Sequence, residues 1–184
     1  NETVFGLHDS AHEKSSCGVG FITRKDGVQT HKLLEKGHEA LCSVPHRGGM
    51  SAEGVGDGAG VSVDLSIEFF QKITNIDLKA GQFGVGNFFM PNRQEQRDKA
   101  CQLIASSLAD SGLKILAERD IAVDNGVLRS AAIDLQLPIT QWIFLAPEGI
   151  SGVKFEKLIY SVLLAIESQA YTDVELDGLY PLSM

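Results

Sequence analysis

Two hydrophobic periodicities alternate along the chain. Short runs that are apolar at every second position, or nearly throughout, predict strands over 18–22, 60–65, 83–90, 113–123 and 139–145, and 180–184 has the form of a further strand's beginning. Elsewhere the apolar residues recur at three and four. Leu33, Leu34, Gly37 and Leu41 share one face of a helix that Thr30 can cap and that stops before Pro45. A short helix is predicted around Ile67–Ile73. Asn92 followed three residues later by Glu95 has the form of a capping box, opening a helix that turns Ala100, Leu103, Ile104 and Leu108 inward and stops near Gly112. The last long helix runs from Ser151 to about Gln169, with Phe155, Leu158, Ile159, Val162, Leu163 and Ile166 as its core stripe. Asp26-Gly27 and Asp124-Asn125-Gly126 supply turn chemistry between elements. Strands alternating with helices in this way predict a mixed α/β domain.

Composition narrows what such a domain does. A chain of 184 residues, 43% hydrophobic, is long enough to bury a core and is expected to form one domain. No apolar run approaches the roughly 18 residues of a membrane span, and no secretory h-region is present, so a soluble cytoplasmic protein without a membrane partner is expected. The net charge of −8 and the absence of a basic cluster argue against a nucleic-acid face. Cys17, Cys42 and Cys101 are odd in number and scattered, which fits a reducing compartment and offers neither zinc nor iron–sulfur spacing. Cys42 and Cys101 fall within helical apolar patterns and read as core fillers. His8, Asp9, His12 and Glu13 lack a supporting shell and read as solvated side chains, so no metal site is expected.

The candidate chemistry gathers at three places. In Ser15-Ser16-Cys17-Gly18-Val19-Gly20-Phe21 a thiol follows two small hydroxyl residues and heads a glycine-spaced apolar run. Such a cysteine is either a small core hydrophobe or, if the chain is cut between Ser16 and Cys17, a residue carrying both a nucleophile and the α-amine that serves as its base. Pro45-His46-Arg47-Gly48-Gly49 sets a guanidinium in a loop whose glycines allow close backbone approach. The glycines from Gly54 to Gly60 suggest a phosphate loop, but they lead into a strand rather than opening a helix, so they read as a turn with constrained φ.

Together, Cys17-Gly-Val-Gly-Phe, His46-Arg-Gly and Gly56-Asp-Gly-Ala-Gly, in this order, resemble the start of the glutaminase domain of the glutamate synthase family. The leader Gly6-Leu7-His8-Asp9 with Ser15-Ser16 is similar to that family's short propeptide, and the later helical and strand segments fall where the family has them. The resemblance implies a class II glutamine amidotransferase of α+β class, an N-terminal nucleophile hydrolase with a four-layer αββα sandwich, here incomplete at its C-terminal end. It implies a leader over 1–16 and the amidotransferase segment over 17–184, with Cys17 as nucleophile, Ser16 and Cys17 as the processing site, and Arg47, flanked by His46 and Gly48, lining the glutamine site. The family's oxyanion donors and its ligands for the glutamine α-carboxylate and α-amine lie farther along, so the segment is expected to be inactive alone, as an unprocessed precursor or a fragment unable to process itself. L-Glutamine, the remaining synthase domains and a small electron-transfer subunit are the implied partners. FMN and an iron–sulfur cluster are implied elsewhere in the full enzyme, with reduced nicotinamide or ferredoxin as donor, and no cofactor is implied in this segment. Two other readings stay open: a catalytically silent domain that senses glutamine or binds a protein, and a free-standing amidotransferase subunit.

Overall fold

The computed structural model describes residues 18–43 and 58–184. The chain divides into two compact units, Asn1–Asp64 and Leu65–Met184.

In the first unit the predicted turn forms as expected: the Gly27 amide donates to the Arg24 carbonyl at 3.2 Å, with Gly27 at φ +66°. Asp26 locks it by accepting from Arg24 Nε at 2.9 Å, from Arg24 Nη2 at 2.5 Å and from the Val28 amide at 3.2 Å. These bonds hold the Asp26 carboxyl below its ordinary pKa, the guanidinium contributing most. Helix α1, His31–Cys42, follows with Thr30 at its N-cap, although the Thr30 hydroxyl makes no capping bond. Leu33, Gly37 and Leu41 are half-buried along one face, where Gly37 lies close to Val61, while Leu34 is exposed.

The strands expected over 18–22 and 60–65 do not form among the described residues, where both segments run without regular structure. Val19 and Phe21 are 96% and 91% exposed, and Val61 and Val63 are also exposed. Period-two apolar sequence makes a strand only where a neighbouring strand takes up its amides and carbonyls, and no described residue pairs with either segment.

The second unit is built on a four-stranded antiparallel sheet. Helix α2, Ile67–Thr74, leads in, its first turn capped by the Ser66 hydroxyl, which accepts from the Phe69 amide, and its end closed by Asn75 in the left-handed region at φ +55°. Strand β1, Phe83–Phe89, is followed by helix α3, Gln94–Asp110, strand β2, Lys114–Asp120, helix α4, Ser130–Leu135, strand β3, Ile139–Leu145, helix α5, Val153–Thr172, and strand β4, Tyr180–Ser183. The strand order is β2-β3-β1-β4. β1 and β3 pair throughout from Phe83 opposite Leu145 to Phe89 opposite Ile139, whereas the β2–β3 ladder bulges between Ile115 and Ala117.

The alternation of side chains along β1 and β3 produces two cores, one per face. Phe88, Trp142 and Phe144 point to the face covered by Ala100, Ile104 and Leu108 of α3 and Phe155, Val162 and Ile166 of α5. The stripes predicted for these helices are therefore the faces they bury, with Leu103, Leu158 and Ile159 packed at the margin. Phe83, Val85 and Ile143 point the other way, to Phe70 of α2 and to Leu78.

The capping box expected at Asn92 is not made. Arg93 is the N-cap of α3, and the Asn92 side chain instead donates to the Gln136 carbonyl at 3.3 Å, a tertiary bond that outcompetes the local one. The expected stop at Gly112 is a Schellman motif: Gly112, at φ +75°, donates to Ala109, and Leu113 donates back to Leu108. Helix α4 and the turn of 3₁₀ helix at Val174–Leu176 went unanticipated, each too short to carry a readable period.

On the α2 side, one polar row crosses all four strands. Arg119 Nε donates to Gln141 Oε1 at 2.8 Å, Gln141 Nε2 to Asn87 Oδ1 at 2.9 Å, and Asn87 Nδ2 to Ser183 Oγ at 2.8 Å. A guanidinium can only donate, so the orientation of both amides is set from the Arg119 end. The Arg119 guanidinium also stacks 5.4 Å above the Phe69 ring.

The central strand owes its place to two missing side chains. A Cβ built on Gly84 would lie 2.5 Å from the Phe144 ring, and one on Gly86 would lie 2.8 Å from the Phe88 ring. Gly84→Ala is expected to destabilise the fold by about 1–3 kcal/mol through overpacking. Adding Phe144→Leu should recover part of that loss in a double-mutant cycle read by urea denaturation. Strictly additive losses would show that the two positions do not compete for space.

Candidate functional site

Ser16, Cys17, His46, Arg47 and Gly48 all lie outside the described residues, and so do Gly54 to Asp57 of the glycine run. The structure describes what leads into and away from them. Gly18 to Thr23 is an irregular segment, closed by the Arg24–Gly27 turn, which feeds α1. α1 ends where Ser43 caps it, the Ser43 amide donating to Glu39 and Ala40 and its hydroxyl to the Ala40 carbonyl at 2.7 Å. The predicted helix thus ends at Cys42, three residues before Pro45. Within the glycine run, Gly58 is described and sits at φ +85°, a conformation that fits a turn with constrained φ.

The two described cysteines have contrasting settings: Cys42 is not the core filler expected, whereas Cys101 packs against the margin of the main core. Cys42 is exposed at the end of α1, with its Sγ 3.7 Å from His38 Nε2, one helical turn away. The helix buries none of its residues, so the apolar pattern around Cys42 does not enclose it. Cys101 is half-buried on α3, and its thiol donates to Glu118 Oε1 on β2 at 3.4 Å. Burial, reinforced by the adjacent Glu118 carboxylate, pushes the Cys101 thiol up to about 12. A thiolate there would face both desolvation and a like charge, so Cys101 is a hydrogen-bond donor and not a nucleophile. Glu118 escaped the sequence reading because it lies 17 residues from Cys101, with no local pattern joining them.

Among the described residues no group of three or more His, Cys, Asp or Glu side chains is placed to hold a metal ion. No described helix is long and apolar enough to cross a membrane.

Comparison with known proteins settles the class. The family model described as Glutamine amidotransferases class-II matches residues 17–184, and the chain belongs to that family. Among individual proteins, it is 34% identical over 145 residues to Glutamate synthase [NADH] of Saccharomyces cerevisiae, covering 74% of this chain and 7% of that protein. It is 28% identical over 173 residues to the Glutamate synthase [NADPH] large chain of Bacillus subtilis, covering 91% of this chain and 11% of that one. It is 32% identical over 165 residues to Ferredoxin-dependent glutamate synthase 2 of Synechocystis, covering 87% of this chain and 11% of the relative. The chain thus spans about a tenth of the length of these relatives. The expected glutamine amidotransferase class and the likeness to glutamate synthases both stand, on a mixed architecture of helices and antiparallel sheet.

The thiol settings give a direct test. At pH 8, Cys42 is expected to be alkylated by iodoacetamide while Cys101 stays intact, because a thiol with a pKa of about 12 is ionised roughly 1,000-fold less than a free cysteine. Cys101 should become reactive only on denaturation or well above pH 10, as peptide mass mapping would reveal. Alkylation of Cys101 at pH 8 in the folded protein would contradict its burial against Glu118.

Proposed function

We propose that this chain is the glutaminase portion of a glutamate synthase, with residues 1–16 a leader removed by cleavage between Ser16 and Cys17. What most supports the reading is that the family match begins at Cys17, the residue that such a cleavage would make N-terminal. In the mature protein the Cys17 Sγ attacks the side-chain amide carbon of L-glutamine, and the free α-amine of Cys17 takes the thiol proton. The resulting tetrahedral oxyanion collapses with departure of ammonia, which carries away that proton. Water then hydrolyses the γ-glutamyl thioester to glutamate and restores the thiol. Arg47, with His46 and Gly48 beside it, lines the glutamine site. Oxyanion donors are worth several kcal/mol to such a step. The unit Leu65–Met184 supplies one sheet, with its helices, of a four-layer αββα sandwich.

In the full-length cytoplasmic enzyme the ammonia passes to 2-oxoglutarate on the remaining synthase domains. FMN, an iron–sulfur cluster and, in some forms, a small electron-transfer subunit serve the reduction there. The described residues do not fit an iron–sulfur cluster: Cys42 is exposed in one unit, and Cys101, in the other, is held as a neutral thiol. No step is assigned to either group in this segment.

Two measurements on the product of the complete gene test the proposal. N-terminal sequencing of the mature polypeptide is expected to begin at Cys17, and a start upstream of it in an enzyme that consumes glutamine would overturn the amine-plus-thiol mechanism. Cys17→Ala should abolish glutamine-dependent glutamate formation while largely preserving the ammonia-dependent reaction. Retained glutamine-dependent turnover would remove Cys17 from the chemistry, and glutamine binding without hydrolysis in the unaltered enzyme would mark a sensing domain instead.

A further inference from the structure

A cavity of about 370 Å³ opens at one end of the sheet, where the end of β2 and the start of β3 meet the chain entering α3. It has a charge arrangement that the glutaminase reading does not use. Arg97 and Asp120 both line it, and no ion pair joins them. Arg97 Nε donates to the carbonyl of fully buried Pro91 at 3.2 Å, which fixes the guanidinium and leaves its two terminal nitrogens to other partners. Asp120 closes β2 opposite Thr140, and the next amide, Ile121, donates to Ile139 at 2.8 Å. Asn92 also lines the cavity; its Nδ2 is committed to the Gln136 carbonyl, so its Oδ1 is available as an acceptor. Val123, Leu137 and Pro138 supply apolar wall.

An anchored guanidinium and an unpaired carboxylate that line one cavity without neutralising each other are complementary to a ligand that carries both charges. We infer that this cavity binds a free α-amino acid, its carboxylate on the Arg97 guanidinium, its ammonium between Asp120 and Asn92 Oδ1, and an apolar side chain against Val123 and Leu137. The volume lies within the range of small-molecule sites and exceeds the needs of one amino acid, leaving room for water around the charged ends. A plain anion would leave Asp120 facing it with like charge, and a plain cation would meet Arg97 in the same way. The zwitterion alone satisfies both. The inference does not depend on Cys17 being the nucleophile, since every residue it uses lies in the unit Leu65–Met184.

The test uses the full-length protein and L-norvaline, an amino acid with no amide to hydrolyse, observed by saturation-transfer NMR. L-Norvaline is expected to bind with a dissociation constant on the order of 1 mM, while pentanoate and butylamine, which each lack one charge, bind at least tenfold more weakly. Asp120→Asn, an isosteric change at an exposed position, and Arg97→Gln should each weaken norvaline roughly 10–100-fold, the range expected for loss of a charged hydrogen bond. Glutamine-dependent turnover should be unchanged in Asp120→Asn, which also reports that the fold is intact. Binding must further persist after the glutamine site has been alkylated with 6-diazo-5-oxo-L-norleucine. Undetectable norvaline binding, equal binding of pentanoate, insensitivity to Asp120→Asn, or loss of binding on alkylation would each overturn the inference. Failure of the diazo reagent to label Cys17 would instead count against the glutaminase reading, leaving the comparison of the two variants as the test of the cavity.

Discussion

The sheet of the second unit depends on a space left empty. Gly84 lies on β1, which pairs with β3 on one side and β4 on the other, and the absence of a Cβ there leaves the space that the Phe144 ring occupies. That ring meets Phe155 edge to face at 6.4 Å, and Phe155 is the first buried residue of α5. Gly86 does the same for the ring of Phe88 two residues along. Together these contacts set how closely α5 approaches the sheet, and with α5 fixed, the position of α3 beside it follows through Ile104, Leu108, Val162 and Ile166. A glycine-rich apolar strand is intrinsically weak, and here the loss of backbone stiffness is offset by two aromatic rings packed where side chains would otherwise stand.

The periodic elements of this unit were legible because their pattern and their burial have one cause. β3 runs over the seven residues whose apolar run predicted it, and α3 and α5 bury the stripes that three-and-four spacing marks out. Where sequence reasoning failed, the missing information was non-local. The alternation at Val61 and Val63 is as good as that of β1, but a strand is a relation between two segments, and the second segment is not written in the first. Asn92 has cap chemistry, yet a carbonyl 44 residues away claims its amide. For the site, the resemblance of Cys17-Gly-Val-Gly-Phe, His46-Arg-Gly and Gly56-Asp-Gly-Ala-Gly, in that order, to a known family was enough to reach the amidotransferase class. The environment of Cys101 was beyond reach, since a desolvated thiol and an exposed one look alike in sequence.

Electrostatics in this unit work by pinning connections rather than by filling the core. Lys99 on α3 pairs with Asp173 at 2.8 Å and with Glu175, tying the helix to the turn that follows α5. Asp173 meanwhile accepts from the Glu175 amide, so one carboxylate both ends α5 and opens the next turn. The hydrogen bond to Lys99 holds the Asp173 carboxyl below its ordinary value and raises the ammonium of Lys99. Its contribution is therefore present above the carboxylate's unfolded pKa of about 4, lost in acid as pH falls through the depressed folded value, and lost again in alkali as the lysine deprotonates. All three groups are substantially exposed, so salt screens them and the effect is modest.

The polar row across the sheet gives this face something that its backbone lacks. Antiparallel strands cancel one another's dipoles, so the sheet itself has almost no net polarity. The side chains do not cancel: from Arg119 through Gln141 and Asn87, every donor points from β2 toward β4. The row ends on Ser183 at the β4 edge, whose hydroxyl accepts from Asn87 and keeps its own proton and a second lone pair. The sheet therefore behaves along this line like a short polarised wire, charged at one margin and ending in a hydroxyl at the other. Any group that comes to rest against that margin meets a hydroxyl whose polarity is set from the far side of the sheet.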